Sequence, residues 1–153
     1  TKYEDFSDWG GTPPQHPVVG KEYILPNSGL GVVLVYKSAV NYQGGYFNSA
    51  LTVWAGQEAG VGLTSDGIRI NLGRADRVSL KVTVGVGTGP YFVYVNFYNP
   101  ENVRLHVIQV FATQEVTYDP LPGEILGYVD FNMTTWSTAT SSVDNVSWVI
   151  SSS

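Results

Sequence analysis

Three kinds of residue in this 153-residue chain have the chemistry to engage a ligand: aromatic rings near turns, scattered carboxylates and two histidines. The rings carry the most specific signal. Trp54 stands beside Ala55-Gly56, and Tyr42 and Tyr46 flank Gln43-Gly44-Gly45, so all three fall next to turn signals. A flat indole or phenol ring can cover the apolar C–H face of a sugar while amide side chains bond its hydroxyl rim. Asn41, Gln43, Asn48 and Gln57 are the candidates for that rim. Trp136 reads equally as platform or as cover. The competing reading makes the same rings caps on the ends of a β-fold, where half-buried Tyr and Trp are common. Trp148, sharing a strand face with Val146 and Ile150, reads as core, and Trp9 as a cover over one end of it.

Catalysis finds less support. His16 sits among prolines and His106 sits mid-strand, and neither has an evident partner for nucleophilic chemistry. No Gly-x-Ser-x-Gly, His-Glu-x-x-His, Walker or dinucleotide pattern occurs. "GVGTG" is glycine-rich but has no following Lys and no helix, so it reads as a β-turn. A glycosidase needs two carboxylates at the correct separation. Glu22, Glu58, Glu101, Glu115 and Glu124, together with the aspartates, supply candidates, but no local motif nominates a pair. The chain therefore reads as non-enzymatic.

Charge narrows the partners. Thirteen acidic residues against eight basic ones give a net charge of −5, and the basic residues are scattered, with none after Arg104. Phosphate neutralisation needs clustered Lys and Arg, so nucleic acid is excluded as a partner, and anionic lipid is disfavoured. No cysteine is present, which removes disulfides and zinc-thiolate sites. No apolar run approaches the roughly 20 residues needed to span a bilayer as a helix. Low charge with many Ser, Thr and Tyr, plus sequons at Asn132-Met133-Thr134 and Asn145-Val146-Ser147, suits an extracellular setting or a cell or virion surface.

The elements that must position these residues are strands. Leu30, Val32, Leu34 and Tyr36 alternate with smaller or polar neighbours. Ile68, Ile70 and Leu72 share one face, and Val78, Leu80, Val82 and Val84 another. "YFVYVNFY" and "VRLHVIQVF" carry bulky residues on both faces and read as strands lying centrally between layers, the second with a bulge at Val107-Ile108. Asn99-Pro100-Glu101-Asn102 between them reads as a hairpin turn. Further turns fall at Pro26–Gly29, Gln43–Gly45, Ser65–Gly67, Gly87–Pro90 and Pro120–Gly123. Eight to ten short strands without helices predict an all-β, two-sheet antiparallel β-sandwich of jelly-roll type. The length fits one domain over 1–153, with 1–20, carrying Pro13, Pro14 and Pro17, as an extended entry segment.

The closing "VDNVSWVI" resembles the last strand of jelly-roll carbohydrate-binding modules and related extracellular β-sandwiches. "RVSLKVTVGVGTGPYFVYVNFYNPENVRL" is similar to their paired central strands, and "YEDFSDW" to their opening segment. The resemblance implies a structural calcium shared by an acidic residue near the start, Glu4 or Asp5, and by Asp144 in the last strand. It also implies a non-catalytic, lectin-like secreted domain that recognises a glycan by stacking and hydrogen bonds. On that expectation Tyr42, Gln43, Tyr46, Asn48, Trp54, Gln57 and Trp136 are the ligand-binding residues. The alternative is a structural subunit of an extracellular assembly, such as a filament, fibre head or viral capsid projection, in which self-association buries the same aromatics.

Overall fold

The computed structural model describes residues 1–40, 45–85 and 91–152. Its regular structure is β1 (Lys2–Glu4), β2 (Glu22–Ile24), β3 (Gly31–Tyr36), β4 (Tyr46–Phe47), β5 (Leu51–Glu58), β6 (Gly62–Ser65), β7 (Gly67–Val84), β8 (Phe92–Tyr98), β9 (Arg104–Val110), β10 (Gln114–Tyr118), β11 (Leu126–Thr134) and β12 (Ala139–Ile150). No helix occurs among the described residues. All the pairings are antiparallel.

The 18-residue β7 organises the molecule. Its first part, Gly67 to Asn71, lies between β3 and β11, whereas Val78 to Val82 lie between β10 and β12. Gly73 separates the two parts at φ +76°, a conformation that a Cβ disfavours. The strand thus begins in one layer and ends in the other. The first layer runs β2-β3-β7-β11-β8-β9. The second runs β10-β7-β12-β5, with β4 and β6 along the free side of β5 and β1 beside the end of β12. The result is a two-sheet antiparallel β-sandwich of jelly-roll type.

Alternation decides what lies between the layers. Val32 and Leu34, Ile68 and Ile70, Val93, Val95 and Phe97, and Val129 and Phe131 point inward from the first layer. Leu51 and Val53, Val78, Leu80 and Val82, and Val143 and Val146 meet them from the second, all fully or almost fully buried. Each such side chain contributes about 1.5–3 kcal/mol of transfer free energy, so this shared core sets the register of both sheets. Trp148 is buried as expected, but Ile150 is exposed. In β12 the inward phase changes from Ala139, Ser141 and Val143 to Val146 and Trp148, because a bulge at Asp144-Asn145, with Asn145 at φ +49°, inserts one residue.

Three sequence expectations need adjustment. The runs around Ile70 and Leu80 are one continuous strand. Among the described residues β9 is an edge strand that pairs with β8 alone, and its irregularity lies opposite Phe97/Tyr98, at Leu105, not at Val107-Ile108. Its bulky residues do not all face a second layer: Val107 is exposed, and His106 stacks on Tyr118 at 5.1 Å. The third lies within the entry segment, where Lys2–Glu4 pairs with β12, and Phe6, at φ +59°, plugs into the core. The β8–β9 turn is as read: the Asn99 side chain accepts the backbone N–H groups of Glu101 and Val103. The turn expected at Gly87–Pro90 lies outside the described residues.

Candidate functional site

The outward residues of the first layer line up in rows across the strands. One row brings Asn96 of β8 beside Asp130 of β11, and Asp130 beside Arg69 of β7. The next brings Tyr98 beside Tyr128 and Asn71; on the other side, Tyr94 lies beside Asn132, which neighbours Gly67 and then Tyr36. This face is polar and aromatic, while the opposite face of the same strands is Val, Ile and Phe.

Each member is held from behind. Arg69 donates to Asp130 at 2.9 Å through Nε and at 3.4 Å through its terminal nitrogen, and Asp130 holds the guanidinium pKa above its ordinary value. The guanidinium sits 4.1 Å from the Tyr128 ring centre, and Tyr128 stacks on Tyr98 at 4.7 Å with the planes 13° apart. With Arg69 against its ring and Tyr98 stacked on it, Tyr128 is a buried brace, and Tyr98 is the ring that meets the surface. Asn132 donates its amide N–H to the Tyr36 hydroxyl at 3.1 Å. Gly67 lets the Tyr36 ring cross over β7, since a Cβ there would collide with it. Asn71 donates to Glu22, which folds over Gly31. Between Tyr36 and Tyr98 lies a hollow of about 240 Å³, lined by Asn96, Asp130 and Asn132.

The ligand residues expected from sequence lie elsewhere. Tyr42 and Gln43, with Asn41, are outside the described residues. Tyr46 and Trp54 meet edge to face at 6.1 Å on the outer side of the second layer, with His16 tilted against Tyr46 at 4.9 Å. The Trp54 indole N–H is sealed from solvent and meets no acceptor among the described residues. Asn48 is exposed, and its backbone carbonyl accepts the Trp9 indole N–H. Gln57, three residues beyond Trp54 on β5, falls on the opposite face of the strand. Trp136 is exposed in the link between β11 and β12.

The three acidic residues assigned to calcium come to one end of the second layer, where Glu4 pairs with Val146. Burial raises the Asp144 carboxyl above its ordinary range, and the charges of Asp5 and Glu4 add to the rise. The Ser7 side chain and backbone hold Asp5 below its ordinary range. Glu4 already accepts from Phe6 N–H at 2.6 Å and from the Ser28 hydroxyl at 2.7 Å, and Asp144 accepts from Asn145 N–H. No group of three or more His, Cys, Asp or Glu that could hold a metal ion occurs among the described residues. Calcium wants 6–8 oxygens, so backbone carbonyls and other side chains would have to complete a shell around these carboxylates.

The residues of the first-layer face were not singled out from sequence, yet a signal was present. In "YVNFY" (94–98) and "YVDFN" (128–132), Asn and Asp alternate with Tyr on the same parity, while Val and Phe hold the other. That pattern marks a strand with a core face and a ligand-capable face.

A solved structure of an uncharacterised protein from Mycobacterium paratuberculosis is similar over 95% of this chain and 98% of its own, at 10% identity and a TM-score of 0.54. The cleaved adhesin domain of Lys-gingipain from Porphyromonas gingivalis is similar over 97% of both chains, at 15% identity and 0.48. A family 11 carbohydrate-binding module from Clostridium thermocellum, in complex with a mixed-linked tetrasaccharide, is similar over 99% of this chain and 97% of its own, at 11% identity and 0.42. The similarity to the mycobacterial protein is one of fold alone. No family model matches the sequence, and no curated protein does.

Proposed function

We propose that this chain is a non-catalytic carbohydrate-binding domain of an extracellular or surface protein, and that it binds glycan on the outer face of its first layer. The hollow between Tyr36 and Tyr98 carries this reading. Two phenol rings flank a floor of two amides and one carboxylate, which matches a pyranose ring with apolar faces and a hydroxyl edge. The floor is preorganised by the Arg69–Asp130 pair and the Asn132–Tyr36 bond, so little ordering cost remains for binding.

A glycosidase reading is weaker here. Among the described residues Asp130 is the one carboxylate lining the hollow, and Arg69 occupies it, whereas two carboxyl groups about 5–9.5 Å apart are needed to cleave a glycosidic bond. An assembly subunit is the second reading. It is favoured by the β9 edge, where exposed Val107 lies on the strand and exposed Phe111 follows it. Sedimentation as a monomer across a wide concentration range would count against it.

The test is a panel of immobilised glycans probed with the native domain, Tyr98→Ala and Trp54→Ala. Loss of the stacking ring should weaken binding by about tenfold or more, in line with roughly 0.5–1.5 kcal/mol of stacking plus the buried area. Trp54→Ala should leave binding unchanged, and so should a calcium chelator. Loss of binding in Trp54→Ala with retention in Tyr98→Ala would move the site to the second layer.

A further inference from the structure

The hollow between Tyr36 and Tyr98 has a neighbour on each side along β11. On one side a hollow of about 300 Å³ is bordered by Arg69, Asn71, Asn102 and Tyr128. On the other, one of about 200 Å³ is bordered by Tyr36, Thr64, Ser65, Asn132 and Thr134. Their β11 residues are, in order, Gly127 and Tyr128, then Asp130 to Asn132, then Asn132 to Thr134. The stacked pair Tyr128 and Tyr98 stands at the first boundary, and Tyr36 with Asn132 is shared across the second. At about 3.3 Å per residue, Gly127 to Thr134 spans about 23 Å, far more than one sugar ring occupies.

We infer that the ligand is a linear, uncharged polysaccharide bound along its length, its chain lying parallel to β11 across the three hollows. This rests on the glycan reading and extends it. The middle hollow is the most enclosed of the three, and the outer two open to solvent, so the middle hollow grips one ring while the chain continues in both directions. Among the described residues, the charged side chains lining the three hollows are Arg69 and Asp130, and they pair with each other. A uronic acid would find no free cation among the described residues of the hollows, and its carboxylate would be desolvated beside Asp130. Asn, Ser, Thr and Tyr instead offer the paired donors and acceptors that hydroxyl groups use.

Calorimetric titration of the native domain with cello-, laminari-, manno- and xylo-oligosaccharides of one to six units, with the parent polymers and with polygalacturonate, tests this. Affinity for one neutral series should rise by about tenfold or more from the single sugar to the longer oligomers and then level off at the polymer value. Asn71→Ala and Thr134→Ala, in the outer hollows, should remove much of that length dependence while leaving the shortest ligand's affinity unchanged. A single sugar that binds as tightly as the hexamer, or preference for polygalacturonate, would overturn the inference while leaving glycan binding intact. Absence of binding to every saccharide, neutral or acidic, would instead overturn the glycan reading itself.

Discussion

Tyr36 can border the hollow because position 67 has no side chain, and Asn132 then fixes its hydroxyl. Gly67→Ala should therefore weaken glycan binding as much as Tyr36→Ala, although it removes no ligand contact. Equal affinity for native and Gly67→Ala protein in a titration would contradict that. In the sequence Gly67 reads only as part of a turn, since nothing local reveals the ring crossing it. Next to it, Asp66 is fully buried and accepts the backbone N–H groups of Ser38 and Trp54, each at 2.7 Å. Burial nevertheless raises its carboxyl above the ordinary 3.8, so the folded state holds this proton more tightly than the unfolded chain. The stabilising contribution of protonation is complete below the ordinary aspartate range and is lost as pH rises through the folded pKa. Native protein should thus gain stability relative to Asp66→Asn as pH falls from 7 toward about 4. Urea unfolding at both pH values checks this, and parallel pH profiles would contradict it.

Among the elements, β7 shows what periodicity does and does not report. The faces of Ile68, Ile70 and Leu72 and of Val78, Leu80 and Val82 were legible as two half-buried strands, and all six residues are buried. Their continuity was not legible, because alternation gives a face and says nothing about which layer a strand enters. Gly73 makes the passage at positive φ, and a Cβ there would meet open space. Gly73→Ala should then cost about 1 kcal/mol through the backbone alone, measured by urea unfolding. An unchanged midpoint would show that the bend tolerates an L-residue. Bulky residues on both faces of β8 suggest a strand between two layers, but β8 lies inside its sheet, between β9 and β11, with one face on the core and the other, carrying Tyr94, Asn96 and Tyr98, half-buried on the outside.

At the scale of the whole molecule, the all-β sandwich followed from strand alternation and turn residues, which are local signals. The candidate site did not, because Tyr36, Arg69, Asn96 and Asp130 meet only through the register of four strands. Rings near turns point instead to Tyr46 and Trp54, which lie on the other layer. The net charge of −5 plays no part in the proposed recognition, since the charges at the site are paired. Raising salt from about 0.05 to 1 M, which shortens the screening length severalfold, should change glycan affinity less than about twofold. The most direct measurement is a heteronuclear NMR titration of the labelled domain with the neutral oligosaccharide that binds best. The account predicts amide shifts concentrated at Tyr36, Asn96, Tyr98, Asp130 and Asn132. Shifts confined to Tyr46, Trp54 and their neighbours would contradict it.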